Sequence, residues 1–492
     1  MRVVVVGAGL GGLSAAAHLI GAGHEVTVVE REPVPGGRAG IVERAGYRMD
    51  NGPCVMTMPG LLRDAFEAMG ADMDDHVTID PVDPMYRAVF DDGSELRVLH
   101  GVEAMTEEIR RVCGLRDAAQ FGPFCDWLGD LYRLEMADFI DRNFNSPLDY
   151  LRRVAPLLQI VRTGGLRTVH RKVASFFEDD RLHRIFSFQA MYAGLSPFDA
   201  LAIYCVITYM DSVEGVSFPR GGMHSMATGL AAAITAHGGE VRLGTAVERI
   251  ERGPAGAVIG VRLADGTTIA ADAVVANPDL PVAYRELLDV PAPRTARRGR
   301  YSPSCLLWLA GVRGEMPTEA AHHNIHFGRT WREAFTALLD EGRRMPDPSI
   351  LVTVPTRSDP SLAPAGAHSL YVLEPAPNLD GHVDWTGERE RIRDDLAGRV
   401  AALGYPAEIE VEEFLDPVDW EARGMERGTP FALAHTFFQT GAFRPSNRDR
   451  RIPGVFFVGS GTTPGVGVPM VLVSGRLAAE RVQTYARERR SA

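Results

Sequence analysis

Val3-Val4-Val5-Val6-Gly7-Ala8-Gly9-Leu10-Gly11-Gly12 opens the chain, and Gly36-Gly37-Arg38 follows within one strand–helix–strand length. Four successive valines with no polar alternation describe a strand buried on both faces. Gly7 permits the tight turn, Gly9 admits a diphosphate to the backbone, and Gly12 lets the next helix lie close to the sheet. The amides at the N-terminus of that helix, from Leu10 onward, face the same point and suit negative charge. A second strand over 24–29 ends in Glu30, placed to accept hydrogen bonds from a ribose. A GxGxxG by itself fits nicotinamide and flavin enzymes alike. The Gly-Gly-Arg just past the second strand, with Arg38 turned back on the phosphates, selects FAD.

The 492 residues suffice for two or three domains with real cores. Hydrophobic residues make up 45% and charged residues 24%, a globular balance that excludes wholesale disorder. A net charge of −12 argues against nucleic acid as a partner, because phosphate binding needs a basic face. Cys54, Cys113, Cys125, Cys205 and Cys305 are odd in number and scattered, with no CxxC pair. A disulfide framework or thiolate metal site is not expected, and a reducing cytoplasm fits. No apolar run approaches the ~20 residues that span a bilayer.

The first ~75 residues read as the dinucleotide unit, a loop at Asp50-Asn51-Gly52-Pro53 and a helix from about Pro59. A hairpin follows over 85–99, turning at Asp91-Asp92-Gly93-Ser94. Residues 102–211 carry helical spacing of apolar positions. Strands return at 240–243, 246–251, 258–263, 268–270 and 273–276, and again at 305–309, 350–354 and 369–373. The end of the chain repeats the opening pattern: a strand over 455–458, a glycine loop through Gly459, Gly461, Gly465 and Gly467, then a helix over 471–487. The N-terminus of that helix could stabilise negative charge on a reduced flavin ring. Cofactor signals at both chain ends require a discontinuous domain. The predicted architecture is α/β: a Rossmann-type FAD-binding domain (1–75, 215–290, 430–492), an antiparallel-sheet substrate domain (76–101, 291–429) and a helical cap (102–214).

Taken together, these motifs resemble the bacterial-type phytoene desaturase family, within the wider amine-oxidase- and GDI-like flavoproteins. The resemblance covers essentially the whole chain. Besides the glycine motifs it rests on Asp50-Asn51-Gly52-Pro53, Phe218-Pro219-Arg220-Gly221-Gly222-Met223, Phe443-Arg444-Pro445-Ser446-Asn447-Arg448 and the run from Gly459 to Pro469. Asn51, Cys54 and Thr463 depart from the usual pattern and bear on the exact substrate. The resemblance implies non-covalent FAD, a long apolar tunnel and desaturation of a carotenoid by hydride transfer to the flavin with loss of a neighbouring proton. Oxygen or a quinone would be the terminal acceptor. The expected FAD contacts are Gly7, Gly9, Leu10, Gly12, Glu30, Arg31, Gly37, Arg38, Gly52, Pro53, Val247, Gly459, Gly467, Val468 and Pro469. An acid/base pair, Asp149 and Arg152, is implied by the same resemblance; a surface ion pair is the plainer reading of it. Phe218 to Met223 is expected to line the flavin pocket, since backbone beside a planar ring favours glycine.

Alternatives within the same architecture are a dehydrogenase of another long polyene and a carotenoid cis/trans isomerase. An amine oxidase would want a lysine at the flavin, and Lys172 is the only lysine in the chain. A prenyl-binding GDI would lack the intact glycine motifs. His322, His323 and His326 do not have zinc-site spacing, and no metal is expected. Arg152, Arg153, Arg162, Arg167, Arg171 and Lys172, interleaved with Leu157, Leu158, Ile160 and Val161, form the best membrane-surface candidate. The expected location is the cytoplasm, peripherally on the inner face of the cell membrane.

Overall fold

The computed structural model describes residues 1–491, the side chain of Arg152 excepted. Its organising element is a five-stranded sheet, all parallel, in the order Val455–Phe457, Ala273–Ala276, Arg2–Val6, Glu25–Val29, Glu240–Arg242. The valine strand lies at the centre, which is why it tolerates no polar position: Val3 to Val6 are all buried. The helix Leu10–Gly21 follows it directly and is built of small residues where it meets its neighbours. A Cβ on Gly475 would stand 2.6 Å from the Gly11 carbonyl, so the final helix, Val468–Ser491, crosses the first at nearly backbone contact. Ser14 donates to the Leu472 carbonyl across that crossing at 2.8 Å. Residues 458 positions apart therefore share one core. A three-stranded antiparallel meander, Val247–Arg252, Val258–Leu263 and Thr268–Ala270, lies alongside.

A second, seven-stranded sheet runs in the order Glu408–Leu415, Ser304–Arg313, Ala367–Ala376, Ile350–Thr353, His323–His326, Tyr86–Val89, Glu95–Val98. Its pairs are antiparallel except His323–His326 with Tyr86–Val89, where the early hairpin docks onto the later strands in parallel. His323–His326 and Glu408–Leu415 were not expected as strands. The former is short and histidine-bearing, and the latter alternates glutamate with apolar residues on a half-exposed edge. Residues 102–214 alternate helices with turns, and the long helix Leu115–Glu135 passes into a π-turn over Met136–Ile140. Among the described residues no helix is long and apolar enough to cross a membrane.

Candidate active site: a cofactor cradle opening into an apolar cavity

The glycine motifs of both chain ends converge on one wall of a cavity of about 1320 Å³. Gly7, Gly9, Leu10, Glu30, Arg31, Gly37, Arg38, Gly52, Pro53, Val247, Gly459, Gly467, Val468 and Pro469 all line it. Gly12 does not. It acts one layer back, where a Cβ would fall 2.2 Å from the Gly7 carbonyl and push the first helix off the turn.

The residues present fit FAD. No side chain caps the first helix, so its leading amides point at the cavity. A Cβ on Gly9 would lie 2.6 Å from Asn277 Nδ2, and one on Gly52 only 1.7 Å from the Arg38 carbonyl. This wall is therefore bare backbone, as an extended dinucleotide requires. The buried Glu30 carboxylate accepts the Ala8 N–H at 2.6 Å and the Glu32 N–H at 3.0 Å. Each oxygen keeps a lone pair for a ribose hydroxyl. Arg38 is steered by the buried Asp279, Nη2 to Oδ2 at 3.3 Å, towards the space beside the Gly9 turn.

The Phe443–Arg448 motif proves to be the clamp on the C-terminal glycine loop. Arg444 is buried and donates to four carbonyls, those of Thr462 (3.0 Å), Gln439 (3.1 Å), Leu433 (3.1 Å) and Ser460 (2.6 Å). Burial pulls its guanidinium down to about 10. The Asn447 amide donates to the Phe457 carbonyl at 2.9 Å and the Thr463 carbonyl at 3.2 Å. Together they hold the turn from Gly459 to Thr463.

The Phe218–Met223 segment does not line the cavity, contrary to expectation. Its glycines serve a buried carboxylate instead. Asp50 accepts the N–H groups of Met223 (2.8 Å) and His224 (2.9 Å), and a Cβ on Gly222 would lie 2.8 Å from Asp50 Oδ2. His224 Nδ1 meets the Ala39 carbonyl at 2.9 Å. The motif thus braces the loop carrying Gly37, Arg38 and Gly52 from behind. Burial raises the Asp50 carboxyl to about 6 despite those two bonds.

Asp149 accepts the N–H groups of Asn145 (2.7 Å) and Ser146 (3.3 Å), forming a capping box at the start of the turn Pro147–Arg153. It is not among the cavity-lining residues, although its neighbour Tyr150 is. The Arg152 side chain, its expected partner, lies outside the described residues. Lys172 packs over Trp127 (4.4 Å) and Phe176 (4.9 Å) and does not line the cavity. His322 Nδ1 and His323 Nδ1 pair with the hydroxyls of Ser358 (2.6 Å) and Thr353 (2.9 Å), and burial drives His322 down to about 3.

Beyond the cradle the lining is mostly aliphatic and aromatic, and it includes two carboxyl groups that no motif announced. Glu135 is buried at the end of its helix, its Oε1 has no partner, and burial raises it well above the usual carboxylate range. Asp211 is buried too, and accepts from Tyr86, Gln189 (3.0 Å) and Ser212 (3.2 Å). Single charged residues inside apolar stretches carry no spacing signature, so only the fold reveals them.

Residues 10–483 match the family described as flavin containing amine oxidoreductase. The chain is 47% identical to a phytoene dehydrogenase of Streptomyces griseus, over 98% of this chain and 95% of that one. It is 38% identical to a zeta-carotene-forming phytoene desaturase of Myxococcus xanthus, covering 99% and 94%. An oxidoreductase from Methanosarcina mazei shares the fold at a TM-score of 0.63 with 18% identity, over 98% of this chain and all of that one. A cradle built for FAD and a match of this extent define the class: the chain belongs to the flavin containing amine oxidoreductase family, and FAD is its cofactor. Within that family it belongs to the bacterial-type phytoene desaturases.

Proposed function

We propose that the protein desaturates phytoene or a closely related carotenoid in carotenoid biosynthesis. One observation carries the reading: the FAD cradle opens without a partition into a predominantly apolar cavity of about 1320 Å³. That exceeds the roughly 300–1,000 Å³ of a single small-ligand pocket. It provides for a dinucleotide and a long hydrocarbon end to end. Bound FAD supplies the two-electron acceptor that side chains lack. The chain's own residues hold the polyene by apolar contact, exclude water, and leave a proton to be removed once an allylic hydride has gone. We further infer that residues 1–75, 215–290 and 430–492 act as the cofactor domain, with 76–101 and 291–429 as the substrate domain beneath the 102–214 cap.

The cavity reaches the surface beside Leu166 and Phe437, which line it and are more than half exposed. Leu148, Leu151, Leu158, Val161 and Phe438 are exposed on the same segments, with Arg162, Arg167 and Arg171 also exposed. The loop Phe437–Phe443 meets the Pro147–Arg153 turn through Tyr150, whose hydroxyl accepts the Ala442 N–H at 2.9 Å. An apolar rim set among arginines supports peripheral docking on the inner face of the cell membrane, where a C40 hydrocarbon resides. Oxygen or a membrane quinone would then remove the electrons.

Anaerobic mixing of FAD-loaded protein with phytoene in liposomes tests this. Flavin bleaching with more conjugated products supports the reading and counts the steps. Altered double-bond geometry without bleaching would point to an isomerase, and unchanged phytoene to a different polyene.

A further inference from the structure

Glu135 ends the long helix Leu115–Glu135 with its side chain in the cavity wall. It is only 7% exposed, and among the described residues neither carboxyl oxygen finds a hydrogen-bond partner. Oε1 is sealed from water, so Oε2 is the oxygen that opens onto the cavity. Polar groups close by are engaged elsewhere. Tyr204, near enough to feel the charge of Glu135, donates its hydroxyl to the His435 carbonyl at 2.5 Å. Asp211, the other carboxyl beyond the cradle, differs in being held by Tyr86, Gln189 and Ser212.

Glu135 also has a definite place along the cavity. The π-turn Met136–Ile140 that follows it gives Phe139 and Ile140 to the same wall. The Phe139 ring lies 6.0 Å from that of Tyr150, which is tied to the rim loop through Ala442. The carboxyl therefore lies on the stretch of wall that leads out to the mouth. Burial keeps it a neutral acid, with one O–H to donate. A pure hydrocarbon lying against it leaves that O–H unpaired, which disfavours the complex. A molecule that enters chain first, with an oxygen at its trailing end, brings that oxygen to this point.

We propose that Glu135 is a specificity-determining residue whose carboxyl donates a hydrogen bond to the hydroxyl or carbonyl oxygen at one end of an isoprenoid ligand. The inference deepens the desaturase reading and takes the isoprenoid nature of the ligand from it. Two molecules present this chemistry to such a cavity: a polyene substrate hydroxylated at one end, and a quinone acceptor with an isoprenoid tail. Phytoene has no oxygen and occupies the cavity without the bond. A site that pairs a ligand oxygen discriminates against the analogue lacking it, because its own polar group is then left unpaired. Replacing the carboxyl by a hydrocarbon side chain reverses the preference.

Binding without turnover tests this. Phytoene and a C40 polyene hydroxylated at one end are titrated onto holoenzyme whose flavin has been reduced. A naphthoquinone with an isoprenoid tail is titrated onto oxidised holoenzyme, so that none of the three reacts. Quenching of tryptophan fluorescence reports each, since Trp331 and Trp420 line the cavity. Glu135→Leu should weaken at least one oxygenated probe about tenfold, the loss of one hydrogen bond, while phytoene binds as tightly or more so. Glu135→Gln keeps a donor and should hold that probe nearly as wild type does. Infrared difference spectra of wild type should show an acid C=O band that moves to lower wavenumber with the oxygenated probe and not with phytoene. That band should be missing from Glu135→Gln.

A loss confined to the polyene marks a substrate and one confined to the quinone marks an acceptor; either supports the recognition role. Unchanged affinity of Glu135→Leu for both oxygenated probes overturns it. So does a loss for phytoene as large as theirs, or an acid band that no probe moves. Should Glu135→Leu fail to retain FAD, the infrared comparison of wild type with Glu135→Gln decides alone. Failure of phytoene to reduce the flavin of oxidised wild type overturns the desaturase reading by a separate measurement and leaves the binding result intact.

Discussion

Arg444 Nη2 donates to the carbonyls of Ser460 at 2.6 Å and Leu433 at 3.1 Å, while its Nε and Nη1 hold those of Thr462 and Gln439. One planar cation thus closes the turn that delivers the C-terminal glycines to the cofactor. Lysine keeps the charge but not the fork, and leaves buried carbonyls unpaired. Arg444→Lys should lower stability by about 3 kcal/mol and release FAD during gel filtration. Chemical denaturation followed by flavin fluorescence checks both.

Glu30 fixes the opposite end of the cradle. Its oxygens accept two backbone N–H groups, and a Gln amide would present a donor to one of them. Glu30→Gln should weaken FAD binding about 10- to 100-fold, the loss of one charge-assisted bond plus a buried mismatch. Titration of apoprotein with FAD measures it directly.

These two sites differ in how much of them a reader of the sequence could see. Glu30 is legible because its place, one strand after a glycine turn, is set by local geometry. Arg444 is visible only as part of a motif of unstated purpose, since its four acceptors come from three separate stretches. The parallel sheet was readable from runs such as Val3–Val6 and Ala273–Ala276, buried on both faces. The edge strand Glu408–Leu415 was not, because its glutamates are paid for by arginines elsewhere in the fold, such as Arg313 and Arg423. Phe218–Met223 shows the complementary error. Its glycines do make room, but for the Asp50 carboxylate rather than for a flavin ring.

Buried histidines set the response to acid. Burial lowers His322 to about 3 and His18 and His326 to about 4, and holds His323 and His435 lower than usual as well. The unfolded chain therefore binds more protons below about pH 6.5, and each such group costs about 1.4 kcal/mol per pH unit as pH falls towards its folded value. Asp50 and Asp211, raised to about 6, act oppositely between roughly pH 6 and 4. Five groups outweigh these two taken with Glu135, which burial also raises. The urea midpoint should drop between pH 6.5 and 4.5, and His323→Gln should flatten that slope.

Glu135 carries the reverse sign. Its folded pKa lies above its unfolded value, so its cost grows as pH rises above about 4.5. Gln has the same shape, is neutral at every pH, and sits in the same cavity wall. Glu135→Gln should match wild type near pH 5 and exceed it by about 2 kcal/mol at pH 8. Parallel urea titrations at the two pH values test this.

The rim of the cavity gives the last prediction. Leu151, Leu158 and Phe438 are 72%, 51% and 71% exposed, so replacing them with serine removes little from the folded core. On a bilayer each would instead bury its side chain, worth about 2 kcal/mol. The neighbouring Arg162, Arg167 and Arg171 add roughly 1 kcal/mol apiece on anionic lipid, a contribution that salt screens. The triple serine variant should keep its melting temperature and FAD content yet fail to sediment with anionic vesicles. Wild type should bind neutral vesicles less well than anionic ones, and should release from the latter as salt rises. Detergent-delivered phytoene separates docking from chemistry, because it bypasses the membrane: the variant should turn it over as wild type does. A variant that still sediments, or that loses turnover in detergent as well, would mean that this rim serves the cavity and not the bilayer.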